Sequence, residues 1–334
     1  MVLVTGATGL LGRVIVLQLL KKGVQVRATK RASGDLNEVK HSFSFYTENA
    51  EELFQKIEWV NIDFEDLDSL KSAVKGVEEI YHCAAKVSMN PKDRKSLYKT
   101  NIEGTKNLLY VCENSAVKKF CFISSVSTLD GLNAEGKYDE ESHYKAALRH
   151  SAYAKSKHFS EIEVWRAAAE GMNVAVVLPA MILASGRWNS SSGVIFRTFE
   201  KNKFTFSGGA NYVDVRDVAK ICIELMERNI FGERFIAVSG NKTYRDFAQK
   251  IRNRFGSSSP KVIPDFLLHF ARIFNVFGFL IPPLKMVNKV NIDAVTTNHK
   301  LSNEKVKKVL NFDFIPVDES IDFHLGNYIK DKNK

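Results

Sequence analysis

Apolar positions along the chain follow two alternating rhythms. Short unbroken runs recur: "VLVT" at 2–5, "VQVRAT" from 24, "EWVNI" from 58, "EEIYHC" from 78, "KKFCFI" from 118 and "NVAVVLP" from 173. Between them the spacing opens to three or four. After the first run, Val14, Leu17 and Leu20 share one face and Gly23 closes the stretch, which predicts a helix from about Leu10 to Lys22. Unbroken apolar runs are what strands covered on both faces show. Strands alternating with helices predict an α/β fold, a doubly wound parallel sheet with ligand at the strands' carboxyl ends.

The first junction is the most informative. "TGATGLLG" places Gly6, Gly9 and Gly12 between a strand and a helix. In that setting Gly6 permits a tight turn, Gly9 lets a pyrophosphate approach the backbone, and Gly12 lets the helix pack on the strand. The helix N-terminus then offers unpaired N–H groups and partial positive charge to a phosphate. The candidate contacts here are Gly6, Thr8, Gly9, Leu10, Leu11 and Gly12. This stretch resembles the short-chain dehydrogenase/reductase superfamily. Length and later motifs point to its extended branch, also called the NAD-dependent epimerase/dehydratase family. That branch holds nucleotide-sugar epimerases, dihydroflavonol-type reductases and 3β-hydroxysteroid dehydrogenases. The resemblance thins after about residue 240. It implies a Rossmann-type cofactor domain (1–186 and about 208–239) and a smaller, mostly helical substrate lobe (about 187–207 and 240–334).

The second run ends "VRATKR", with Arg27, Lys30 and Arg31 where NAD enzymes usually place a carboxylate. Cations there suit a 2′-phosphate, so NADP(H) is expected over NAD(H). The segment looks like its counterpart in dihydroflavonol reductases, where an arginine matching Arg31 grips that phosphate. Those reductases often carry a lysine near the place held here by Glu38, with Lys40 close by. The resemblance also implies that Asp63, with Phe64 beside it, faces the adenine amino group. Ala84, Ala85 and Lys86 would lie along the cofactor, and Asn101 would shape the active site. Ile123 and Ser124 end the fifth strand. Pro179, Ala180 and Ile182 would line the nicotinamide pocket.

Downstream of that fifth strand comes "SAYAKSKHFSE", with Tyr153 and Lys157 one helical turn apart. An ammonium beneath a phenol favours the phenolate and so lowers the phenol pKa, as does the charge of an oxidised nicotinamide. Tyr153 is the expected acid/base and Lys157 its partner. Family order identifies Ser125 as the serine that fixes the substrate oxygen, with Ser124 and Ser127 as stand-ins. Tyr328 and Lys332 repeat the same spacing in the tail, where no chemistry is expected.

Three reactions share this apparatus. Val126 and Ser127 stand where sugar dehydratases carry an Asp-Glu pair, and "SSVSTLDG" lacks the tyrosine many epimerases show there. The reading is therefore an NADP(H)-dependent oxidoreductase interconverting a carbonyl and a secondary alcohol. A nucleotide-sugar epimerase is the alternative, and a cofactor-binding regulator or scaffold a second one.

Composition refines this only slightly. A net charge of +10 suits anionic ligands such as phosphorylated cofactors, and no basic arm or zinc-finger spacing points to nucleic acid. Cys83, Cys112, Cys121 and Cys222 show no CxxC spacing, which suits buried free thiols in a reducing cytoplasm and no metal site. No secretory signal is read at the front, where the first apolar run meets glycine at once. In the lobe, "DFLLHFARIFNVFGFLIPPLKMV" reads as a buried helix with a polar stripe of His269, Arg272 and Asn275. An apolar substrate pocket, or contact with a membrane surface aided by Lys285 and Lys289, is the alternative. The expected partners are a small-molecule substrate and a second copy, a homodimer through helices around 95–115 and 153–170.

Overall fold

The structure, a computed structural model, describes residues 1–189, 193–274 and 286–333. Seven parallel strands form the central sheet: β1 (Val2–Thr5), β2 (Val26–Lys30), β3 (Glu58–Asn61), β4 (Glu79–His82), β5 (Lys119–Ile123), β6 (Asn173–Pro179) and β7 (Glu233–Ala237). Their order across the sheet is β7-β6-β5-β4-β1-β2-β3. Order reverses between β1 and β4, the switch point where such sheets open a ligand crevice. The apolar runs are continuous because helices cover both faces. Helix Leu10–Lys21 packs beside Val215–Glu227, and helix Gly104–Glu113 beside Ala152–Ala169.

Register aligns the carboxyl ends. Thr5 pairs with His82, Lys30 with Asn61, and Ile123 with Val177. The loops that follow β1, β2, β4, β5 and β6 therefore leave from one edge, and every predicted cofactor residue except Arg27 lies on or near it.

A second apolar core gathers Leu183, Phe196, Phe199, Tyr212, Phe247, Ile251, Ile321 and Leu325. Its boundaries differ from the expected lobe in two places. Met181–Leu183 and Tyr212–Asp214, both expected in the cofactor domain, pair with each other, and Leu183 and Tyr212 pack into this second core. Val306, Leu310 and Phe312, expected in the lobe, are buried in the sheet's own core. The two cores are joined through Asp214. This carboxylate caps helix Val215–Glu227, pairs with Arg216 at 2.7 Å and accepts hydrogen bonds from Ser320 and His324 of the last helix, Val317–Lys332. Those partners hold its pKa well below the usual range against the opposing effect of burial.

The segment 265–287 departs from expectation. Its described helix, Asp265–Ala271, buries none of its residues. Phe266, Leu267, Phe270, Ile273 and Phe274 are exposed among the described residues, where the short helix Lys289–Thr296 is the main element packed against this seven-residue one. Asn275, Pro282, Pro283 and Lys285 lie outside the described residues. Among the described residues no helix is long and apolar enough to cross a membrane.

Candidate active site

The glycine turn is built by close approach. Gly6 has φ +64°, and a Cβ there would lie 2.7 Å from the Ala84 backbone. A Cβ at Gly12 would lie 2.4 Å from the Gly6 carbonyl oxygen. Gly9 begins the helix Leu10–Lys21, and no side chain caps it. The first amides of that helix, at Leu10 and Leu11, are therefore left for an anion.

Beside this turn runs a cleft of about 710 Å³. Gly6, Thr8, Gly9, Lys30, Arg31, Asp63, Phe64, Ala84 and Ala85 line it, so the structure brings these residues together. Leu10, Leu11 and Gly12 stand behind it as the start of the helix. Thr29, Ser33, Asn61, Cys83, Lys99, Thr100 and Arg187 also line it and are additional to the residues read from sequence. Thr29 and Asn61 could have been found as strand-end residues. Arg187 had no local signal, since it comes from the far side of the chain.

Arg27 is a correction. Its guanidinium binds Glu58 at 2.7 Å and the carbonyls of Ala73 and Lys75, away from the cleft. It sits one strand turn too early: the groove opens at Lys30, and Arg27 is spent bridging β2 to β3. Lys30 reaches Asn61 at 2.9 Å on the cleft wall, and Arg31 forms no ion pair among the described residues.

A directed chain of hydrogen bonds holds the cleft floor. Ala84 N–H donates to Thr5 Oγ1, whose hydroxyl donates to His82 Nδ1 at 2.7 Å. His82 Nε2 meets Thr105 Oγ1 at 3.0 Å, and that hydroxyl donates to the Asn101 carbonyl. Thr105 is thus an acceptor from His82, so the ring carries its proton on Nε2. Burial, with Lys157 nearby, depresses this histidine to about 3, so it is neutral.

Asn101 lies in a π-helical turn, Lys99–Glu103, inside an otherwise continuous helix. Such turns free a backbone carbonyl from its usual partner. Here the Asn101 carbonyl accepts from both Thr105 and Ser160. The side chain accepts from Lys86 N–H at 2.7 Å, donates to the Lys86 carbonyl and donates to Ser156 on the helix bearing Tyr153. Asn101 therefore fixes the loop after β4 against that helix. The Lys86 side chain turns away to Asp93 and Ser96.

At the end of β5, Ser124 and Ser125 divide their roles. Ser124 is buried and donates to Glu161 at 2.6 Å. Ser125 is half-buried, receives the Ser127 hydroxyl at 3.0 Å and lies near enough to the Tyr153 phenol to influence its acidity. Tyr153 begins the helix Ala152–Ala169, which is capped by Ser151, and Lys157 lies one turn on. The Lys157 ammonium sits 4.3 Å from the Phe122 ring centre. Burial pushes it down to about 8, against the opposing pull of Glu161 and Cys83. The expected lowering of the Tyr153 phenol is not what the structure gives. Burial raises it above its ordinary value, and the nearby Ser125 hydroxyl only partly opposes this. Lys157 is aimed at Phe122, so desolvation wins.

Beyond β5, Ile123 is buried under the strand end, and Ala180 N–H bonds the Ala237 carbonyl just past Pro179. Ile182 continues into the short strand that pairs with Val213. Tyr328 and Lys332 both engage Glu200 on the second core, so the repeated spacing serves as a clamp there.

Residues 2–237 match the sequence profile of the NAD dependent epimerase/dehydratase family. The chain belongs to this family. A putative dihydroflavonol 4-reductase of Synechocystis sp. is 31% identical over 253 residues, covering 71% of this chain and 69% of that protein. The crystal structure of gox2253 superposes with a TM-score of 0.82 at 25% identity, covering 99% of this chain and 98% of that one. Gre2 of Candida albicans, solved in complex with NADPH, gives a TM-score of 0.74 at 20% identity, covering 98% of each chain, a likeness of fold. This member of the family is an NAD(P)-dependent oxidoreductase.

Replacing Asn101 with alanine strands the Lys86 N–H and carbonyl and removes a donor from Ser156, which keeps its own bond to the Tyr153 carbonyl. The Asn101→Ala variant should lose about 2–3 kcal/mol of stability, as a buried network of three such bonds implies. Denaturant unfolding measures this, and an unchanged midpoint would show the tie to be dispensable.

Proposed function

We propose that the enzyme reduces a carbonyl to a secondary alcohol with NADPH, using Tyr153 as proton donor. The observation that carries this reading is the placement of Ser125 at the end of β5, with Tyr153 and Lys157 one turn apart at the start of the helix Ala152–Ala169. A cation-lined groove opens along the same carboxyl edge of the sheet, lined from the ends of β1, β2, β3 and β4. When bound, the reduced nicotinamide supplies the hydride and its electron pair. Tyr153 gives its proton to the substrate oxygen as the hydride reaches the carbon, so the product is a neutral alcohol. Burial keeps that phenol protonated at neutral pH, the state a donor needs. Ser125 steadies the same oxygen. Lys157 offsets the charge left on the phenolate and holds the nicotinamide ribose.

Lys30 and Arg31 at the end of β2 favour NADP(H) over NAD(H), since they present positive charge where the adenosine ribose would sit. A homodimer is part of the reading. Tyr110, Phe159 and Ile162 are exposed on helices Gly104–Glu113 and Ala152–Ala169, and a partner copy would cover them.

Tyr153→Phe should bind NADPH within about threefold of the parent while turnover falls by roughly 10²–10⁴. Stopped NADPH oxidation across a panel of aldehydes and ketones is the assay; normal turnover removes the proton-donor role. Sugar inversion without net cofactor consumption would put an epimerase in place of the reductase. The Lys157 ammonium is lost as pH rises through about 8, so reduction should slow above that pH. Lys157→Met should be slower at neutral pH and lack that alkaline limb in a pH–rate profile. In light scattering the chain should run as a dimer that Ile162→Asp converts to monomer, and a monomeric parent would exclude this interface.

A further inference from the structure

The cleft's cation set has an unusual source. Arg187 belongs to the loop beyond the short strand Met181–Leu183, yet it lines the groove with Lys30, Arg31 and Ser33. It reaches this place because Glu38, 149 positions away, accepts its Nε at 3.1 Å. The other Glu38 oxygen accepts from Arg13 at 2.9 Å. Arg13 in turn binds the Thr8 and Gly9 carbonyls of the glycine turn and is almost wholly buried. One carboxylate therefore carries two guanidiniums, and the cluster keeps a net positive charge facing the groove. Among the described residues buried Arg13 Nη1 has no hydrogen-bond partner, so there the cluster is richer in donors than in acceptors.

The loop's backbone is specialised for the same end. Arg187 is one of three described non-glycine residues with positive φ, at +52°, and Gly186 before it has φ +91°. A side chain in left-handed backbone costs free energy that its surroundings must offset. The surroundings here are firm on both sides. Ser185 N–H bonds the Tyr46 hydroxyl at 2.9 Å, Ser185 Oγ meets His324 and Asn327, and Trp188 donates to Asp331. The loop is thus bolted in place, while the Arg187 side chain remains one-third exposed toward the groove.

We infer that Arg187 is a specificity-determining residue that grips the 2′-phosphate of the bound cofactor, held in position by Glu38. The helix beginning at Leu36 follows directly from the 31–34 turn at the end of β2, so Glu38 brings Arg187 to the adenosine-ribose side of the groove. A guanidinium offers paired donors to phosphate oxygens, and a half-open site lets it exchange a water shell for them. This inference rests on the NADP(H) reading proposed above and deepens it.

The test uses 2′,5′-ADP and 5′-AMP, which differ only in that phosphate, with calorimetry on the parent, Arg187→Ala and Arg187→Lys. The parent should prefer 2′,5′-ADP, and Arg187→Ala should shrink that preference about tenfold with 5′-AMP affinity unchanged. Arg187→Lys should restore part of it, and thermal unfolding of both unliganded variants should match the parent. A parent with no preference would sink the NADP(H) reading and the inference with it. A parent with a preference that Arg187→Ala keeps would overturn the inference alone. Equal weakening of both ligands would also overturn it, since Arg187 would then serve the shared part of the cofactor or the fold.

Discussion

Two loops from adjacent strands touch at Gly6 and Ala84, with no room for a side chain between them. The cleft depends on that contact. It brings the first helix's amides to the switch point of the sheet, and it sets Thr5 where its hydroxyl can accept from Ala84 and donate to His82. Everything under the groove then follows in one direction of hydrogen bonding, through a neutral histidine, to Asn101 and on to the helix of Tyr153. A charged imidazole would have two donors and could not accept from Thr5, so burial and hydrogen-bond polarity require the same tautomer.

Electrostatics divides the site into two unlike ends. At the reacting end charge is suppressed: Tyr153 is kept neutral by burial, and Lys157 is brought close to losing its proton. At the end of β2 charge is concentrated instead, on exposed or half-exposed Lys30, Arg31, Lys99 and Arg187, with Asp63 and Glu65 on the facing wall. The first arrangement suits proton transfer near neutral pH, and the second suits an anion that must also be released.

Much of this was legible in the sequence, for a physical reason. Strands covered on both faces write continuous apolar runs, and a phosphate turn needs glycine at fixed steps, so β1 to β6 and the turn could be read locally. Family order likewise set Ser125, Tyr153 and Lys157 in one line of descent along the chain. What escaped was set by tertiary partners. Arg27 looked like its cationic neighbours until Glu58 and two carbonyls claimed it. Arg187 is placed by a carboxylate across the fold. The phenol's acidity depended on whether solvent or ammonium dominated, which spacing does not report. The apolar segment after Pro264 carried the composition of a core helix, but burial needs a facing surface, and composition does not supply one.

The π turn at Lys99–Glu103 has an implication for how this helix tolerates change in length. Each residue of an ordinary helix turns the chain by about 100°. Deleting one position there would restore a regular ladder and so look harmless, or even favourable, by local criteria. It would also swing the preceding segment away from the loop at Lys86, while the following segment stayed seated on the sheet. Insertions and deletions in related chains should therefore be scarce at this turn, because here the loop it holds, rather than the helix, sets the count of residues.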